Sequence, residues 1–134
     1  WSRQNRSQLV RIPMVKGDNC RMELRSPDPA CNPYLAIGLV LAAGLDGIEH
    51  RMVLPPPVNK NLFRPGEAEG LGLEMLPATL EEAVAIAEES DFLHKVLPEE
   101  LSRRYFAEER ARCEALRAAA DPAEYERIHY FNAI

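Results

Sequence analysis

Arg21-Met22-Glu23-Leu24-Arg25 sets a carboxylate between two guanidiniums at alternate positions. Side chains of an extended strand alternate between its faces, so Arg21, Glu23 and Arg25 share one face while Cys20, Met22 and Leu24 form an apolar one. A guanidinium is planar, permanently charged and able to grip carboxylate or phosphate with two parallel bonds. A carboxylate is an oxygen ligand of the kind Mg2+ takes, although such an ion wants several. Phosphoryl transfer is catalysed largely by positioning and by neutralising charge with arginines and metal ions, and this row supplies both kinds of part. It lacks a nucleophile, a base and the rest of a metal site. The competing reading of the strand taken alone is a solvated row of ion pairs, worth little to stability. Just upstream, Asn5-Arg6-Ser7-Gln8-Leu9-Val10-Arg11-Ile12-Pro13 reads as a second short strand carrying Arg6 and Arg11. Four arginines and a glutamate on neighbouring strands point to a site for a polyanion and a metal.

The elements that must position these groups follow in order. Residues 8–13 and 19–26 are the convincing strands, and Gly17-Asp18-Asn19 between them is turn chemistry, so an antiparallel hairpin is expected. Two strands alone are marginal in water, so others should join them. Pro27 and Pro29 end the second strand. Asn32 then caps a helix that opens on Pro33 and runs to about His50, apolar on nearly all sides and read as a buried core helix. Residues 51–78 are loop-rich, with Pro55-Pro56-Pro57 extended and Pro65-Gly66 marking a turn. So long an irregular segment points to function or to packing on a larger body. Thr79-Leu80-Glu81-Glu82 reads as a capping box opening a helix to about Ser90. Asp91 is read as the cap of a short helix through Leu97. A longer helix runs from Pro98 to about Ala120, with Leu101, Tyr105, Ala111 and Leu116 as inner positions. Asp121-Pro122 starts a last helix to about Phe131. The fold class is α+β: a short antiparallel hairpin followed by a mostly helical region.

Composition narrows the chemistry. The 134 residues, 46% of them hydrophobic, suffice for one domain with a modest core. A formal net charge of −5 excludes a general nucleic-acid binder, and leaves the arginines as a local positive patch suited to a small anionic ligand. Cys20, Cys31 and Cys113 are an odd count with no Cys-x-x-Cys pair, read as buried or inert thiols of a reducing cytoplasm. The apolar run 35–45 is too short to span a bilayer, so no membrane partner is expected. His50, His94 and His129 read as helix-end or surface residues, and Asp28 and Asn32 as turn and cap residues. A chain beginning at Trp1 among its own site residues reads as a piece of something longer.

Several segments, in order and closely spaced, resemble the carboxyl-terminal part of a bacterial type I glutamine synthetase. They are Trp1-Ser2 through Asn5-Arg6-Ser7, Val10-Arg11-Ile12-Pro13, Arg21-x-Glu23-x-Arg25, Pro27-Asp28-Pro29-Ala30-Cys31-Asn32-Pro33-Tyr34-Leu35 and Ala43-Gly44-Leu45-Asp46-Gly47-Ile48. Asn59-Lys60-Asn61-Leu62 and Leu76-Pro77-Ala78-Thr79-Leu80-Glu81-Glu82-Ala83 follow in order. The resemblance covers essentially the whole chain, residues 1–134, as one portion of the family's catalytic domain. It implies a cytoplasmic ligase that joins ammonia to glutamate through a γ-glutamyl phosphate made from ATP, with Mg2+ or Mn2+, in a homo-dodecamer.

By the same resemblance Arg6 contacts phosphate and the substrate side, and is a catalytic group. Arg11 and Arg21 belong to the nucleotide-phosphate site, Glu23 is a ligand of the metal nearer the transferred phosphoryl group, and Arg25 holds the glutamate carboxylate. The family's β-grasp domain, its other metal-binding glutamates and histidine and its flap glutamate are expected outside these residues, so the 134 residues alone should be inactive. The 14–19 loop is one residue shorter than in adenylylated members, which leaves no family lysine contact assignable to Lys16. Phe63 stands where those members carry the modified tyrosine, so the chain resembles the unadenylylated subgroup. Two other readings stay open: a γ-glutamyl-amine ligase on the same scaffold, and a non-catalytic module that uses the arginine row to bind an anion or to associate with full-length subunits.

Overall fold

The computed structural model describes residues 1–131. The chain falls into two compact units, Trp1–Glu74 and the region from Met75 onward.

The first unit holds both strands and the longest loop. Strand β1, Val10–Arg11, pairs antiparallel with β2, Glu23–Leu24, in the register Val10 opposite Leu24 and Arg11 opposite Glu23. The hairpin stands, but the strands are far shorter than residues 8–13 and 19–26. A 3-10 turn at Gly17–Asn19 takes up the connection, and Gly17 has φ +66°, which a side chain would disfavour. One ladder bond beyond the strands, from Arg25 N–H to the Leu9 carbonyl (2.9 Å), extends the pairing. The expected third partner is a single parallel bridge from Ser2 to Arg11, with Ser2 N–H to Val10 O at 3.0 Å and Ile12 N–H to Ser2 O at 2.9 Å. The apolar face read for β2 is not buried: Cys20 and Met22 are exposed and only Leu24 is half-covered. A two-stranded ladder has too little area to bury that face.

Helix α1, Pro33–Glu49, begins as its sequence dictates, with the Asn32 carboxamide oxygen accepting from Tyr34 N–H (3.0 Å) and Leu35 N–H (3.3 Å) and with Pro33 in the first turn. Its expected burial is overturned. None of its residues is buried, and Tyr34, Ile37, Leu45 and Ile48 are 87%, 62%, 67% and 76% exposed. Helical propensity and a good cap form the helix, but among the described residues no element packs extensively against it.

The second unit is a small helical assembly. Thr79 Oγ1 accepts from Glu82 N–H (3.1 Å) at the start of α2, Leu80–Glu88, and the Glu82 carboxylate reaches back to Ala78 N–H (2.8 Å). That is the reciprocal logic of a capping box, reaching one residue further back than the usual form. Helix α3, Asp91–Val96, is capped by Ser90 rather than Asp91, the Ser90 hydroxyl accepting from Leu93 N–H. Asp91 is instead the first helical residue, where its charge favours the positive end of the helix dipole. Helix α4, Glu99–Ala118, packs on α2, α3 and α5. Its inward face differs from the expected one: Ser102, Phe106 and Glu109 are buried, while Leu101 and Ala111 are exposed and Tyr105 and Leu116 half-buried. Helix α5, Pro122–Glu126, is capped by Asp121 and passes into a π-helical turn, Arg127–Phe131. The strands and helices together are the α+β arrangement the sequence implies.

Candidate functional site on the arginine-bearing hairpin

The register of the hairpin decides the site. Because Arg11 lies opposite Glu23, their side chains meet across the ladder, Nη1 to Oε2 at 2.5 Å. Arg21, two residues before Glu23 and on the same side of the chain, closes on the other carboxylate oxygen, with Nε to Oε1 at 3.1 Å and Nη2 to Oε1 at 3.0 Å. Its Nη1 also donates to the Asn19 carbonyl at 3.2 Å, which ties the guanidinium to the turn. Glu23 therefore sits between two guanidiniums. Partial desolvation works against its ionised form, but hydrogen bonds and charge from Arg11 and then Arg21 hold its carboxyl below the usual glutamate range.

The structure brings Arg11, Arg21 and Glu23 together. It does not join Arg6 or Arg25 to them: both are exposed, and neither side chain makes a hydrogen bond or ion pair among the described residues. The row expected on one strand face is thus a bonded trio with two open guanidiniums nearby in sequence. Within the trio the Arg11 side chain is 16% exposed, and its Nε is buried without any hydrogen-bond partner. A buried donor left unpaired is costly, and the protein's own atoms close this nitrogen off from outside, so it is a local cost of the ion-paired arrangement.

Guanidiniums are the donor type that suits phosphate oxygens, and Arg21, Arg6 and Arg25 are exposed. For a divalent metal the fit is partial. Glu23 offers one carboxylate, both of whose oxygens already accept from arginine, and a hard cation takes six or so oxygen ligands. Glu23 can serve as one ligand of a site whose other ligands lie elsewhere.

Sequence reasoning missed how this region is held. It read residues 51–78 as loop, and among them 55–62 form a strap hydrogen-bonded along the Trp1–Gln8 segment. Trp1 Nε1 donates to Pro55 O (2.7 Å), Val58 N–H to Trp1 O (2.8 Å) and Arg3 N–H to the Asn59 side chain (3.3 Å). Asn5 Nδ2 donates to Lys60 O (2.5 Å), Gln8 Nε2 to Val58 O (2.6 Å) and Lys60 O (2.9 Å), and Leu62 N–H to Ser7 Oγ (2.9 Å). The only hint in the sequence is the density of amide and hydroxyl side chains in 1–8 opposite a proline-stiffened stretch.

The histidines stay local. His50 Nδ1 bonds to Asp46 O (2.9 Å) at the α1 terminus, His94 Nε2 to Glu88 O (2.8 Å) and His129 Nδ1 to Tyr125 O (2.8 Å). All three cysteines are free thiols; Cys20 is exposed rather than buried. Among the described residues no helix is long and apolar enough to cross a membrane.

The hairpin gathers two guanidiniums around one carboxylate, and guanidiniums are the groups that phosphate- and carboxylate-binding proteins employ. The family model for the glutamine synthetase catalytic domain matches residues 1–128, and the chain belongs to that family. It is 42% identical over 121 residues to a glutamine synthetase of Methanocaldococcus jannaschii, covering 89% of this chain and 27% of the relative. A glutamine synthetase of Methanosarcina mazei is 42% identical over 129 residues, 95% of this chain and 29% of the relative. One of Staphylococcus aureus is 36% identical over 132 residues, 97% of this chain and 29% of the relative. The chain spans less than a third of the length of these curated relatives.

Proposed function

We propose that this chain serves as part of the catalytic domain of an ATP-dependent ligase that joins ammonia to glutamate, contributing its phosphate-facing side. In this reading Arg11 and Arg21 hold nucleotide phosphates, Arg6 contacts the transferred phosphoryl group and the substrate side, and Arg25 takes the glutamate carboxylate. Glu23 is one ligand of a divalent cation, Mg2+ or Mn2+, which when bound neutralises phosphate charge. The observation that carries the reading is the Arg11–Glu23–Arg21 trio. Such a group is preorganised for an anion: Glu23 orients both guanidiniums before any ligand arrives, so less order is lost on binding.

The remaining metal ligands, the flap glutamate and the β-grasp domain are assigned to polypeptide beyond these residues, and the whole to a cytoplasmic dodecamer. Phe63, whose ring is exposed, has no hydroxyl to accept a nucleotidyl group, which favours the unadenylylated subgroup of the bacterial type I enzymes. The test is a chimera in which residues 1–128 replace the matching segment of the Methanocaldococcus jannaschii relative. It is expected to form γ-glutamyl hydroxamate from glutamate, ATP and hydroxylamine, and the Glu23→Ala chimera to lose that activity. Unchanged turnover in Glu23→Ala would remove the metal role from this residue.

A further inference from the structure

We propose that Gln8 is a positioning residue for Arg6, acting by lacing the arginine's segment to the 58–62 strap. The role assigned to Arg6 rests on the ligase reading above; the lacing does not. Gln8 is a polar side chain only 7% exposed, in a unit whose large apolar side chains are mostly uncovered. Its single amide nitrogen donates to two backbone carbonyls, Val58 at 2.6 Å and Lys60 at 2.9 Å. The Lys60 carbonyl also accepts from Asn5 Nδ2 at 2.5 Å, so one strap oxygen is shared by residues on both sides of Arg6.

Ser7 completes the arrangement. Its hydroxyl oxygen accepts from Leu62 N–H at 2.9 Å and lies 2.9 Å from Asn5 Oδ1, which also accepts from Ser7 N–H at 2.9 Å. Arg6, exposed and without a side-chain bond of its own, is therefore bracketed by three side chains committed to the strap. Arg11 and Arg21 are oriented by the Glu23 carboxylate; Arg6 has no carboxylate to do this. What limits the excursions of its backbone is the Asn5–Ser7–Gln8 lacing. A guanidinium fixed at its root loses less freedom when it meets an anion, and a slack root forfeits that advantage.

The experiment uses the full chain and needs no catalysis, so a failed ligase assay and a failed positioning test are separate results. Gln8→Leu keeps the volume but strips both N–H donors, removing the Val58 carbonyl's side-chain partner and leaving the Lys60 carbonyl to Asn5 and Ser7. Hydrogen exchange at the Leu62 amide is expected to rise about tenfold, as for loss of one buried hydrogen-bond partner. The arginine Nε–Hε heteronuclear NOE should fall for Arg6 and stay unchanged for Arg11 and Arg21. Ser7→Ala, which removes the acceptor for Leu62 N–H, should move the same two signals in the same direction. An Arg6 signal unchanged in both variants overturns the proposal. So does an equal loss at Arg6, Arg11 and Arg21 in both, because that would report general loosening.

Discussion

The two units solve the problem of holding themselves together in opposite ways. In the helical unit Val84 and Phe106 are buried, and two ion pairs join α2 to α4, Glu81 to Arg117 at 2.5 Å and Glu88 to Arg110. In the hairpin unit the ties are backbone and amide hydrogen bonds between segments some fifty residues apart, while its one long helix leaves its apolar side chains uncovered. Tyr34, Ile37, Leu41, Leu45 and Ile48 of α1 are each more than 60% exposed, so among the described residues the helix has little packing of its own. The unit that carries the proposed chemistry is thus the one that depends most on what surrounds it. The helical unit contributes little chemistry and more of its own stability.

The sharpest way to break this comparison is to cut the same kind of side chain from each unit. Phe106→Ala should destabilise the helical unit by about 3 kcal/mol, as a large buried aromatic does. Leu41→Ala on α1 should change stability by less than about 0.5 kcal/mol, as an exposed site does. Denaturant unfolding followed by circular dichroism reads both, and equal losses would mean that α1 is packed in solution. In the chimera, Arg25→Lys replaces a bidentate fork with a point charge, and should raise the glutamate requirement several-fold while the helical unit is untouched. An unchanged glutamate dependence would remove Arg25 from substrate binding.

Smaller effects sharpen the picture. Thr79→Ala should cost the helical unit about 1 kcal/mol through loss of the α2 cap; a silent substitution would show the helix start to be held by packing alone. The smallest effect is acid sensitivity. Hydrogen bonding and charge from Arg117 hold the Glu81 carboxyl below its usual value, and a hydrogen bond from Arg127 lowers that of Glu124. A lowered folded-state value contributes stability that is present above the ordinary glutamate range and fades as pH falls through the lowered one. These pairs are solvent-exposed, so the fade should be slight and weaker in high salt. Thermal unfolding of Glu81→Gln should show a shallower acid slope than the parent; an identical slope would exclude the pair as its source.

Local chemistry was legible in the sequence because it needs no distant partner. The Asn32, Thr79 and Asp121 caps follow from side chains that bond within the first turn of the helix they open. The shared side of Arg21 and Glu23 follows from strand alternation. Where the chosen residue had an equal neighbour, the reading slipped by one: Ser90, not Asp91, caps α3. Such a choice turns on which oxygen reaches the free N–H.

Tertiary structure decided the rest. Strand alternation cannot say that Arg11 faces Glu23, because register is a property of two strands together. Nor can a helical period choose between neighbouring stripes of α4, where Ser102, Phe106 and Glu109 are the buried positions of a helix packed on α2, α3 and α5. The strap over Trp1–Gln8 was invisible for the same reason: its carbonyls carry no sequence signature, and only folding brings them to Asn5 and Gln8. The exposure of α1 is the converse case. Its composition determined that it should be covered, and tertiary structure determined that no element among these residues covers it, because burial is a relation between surfaces and not a property of one.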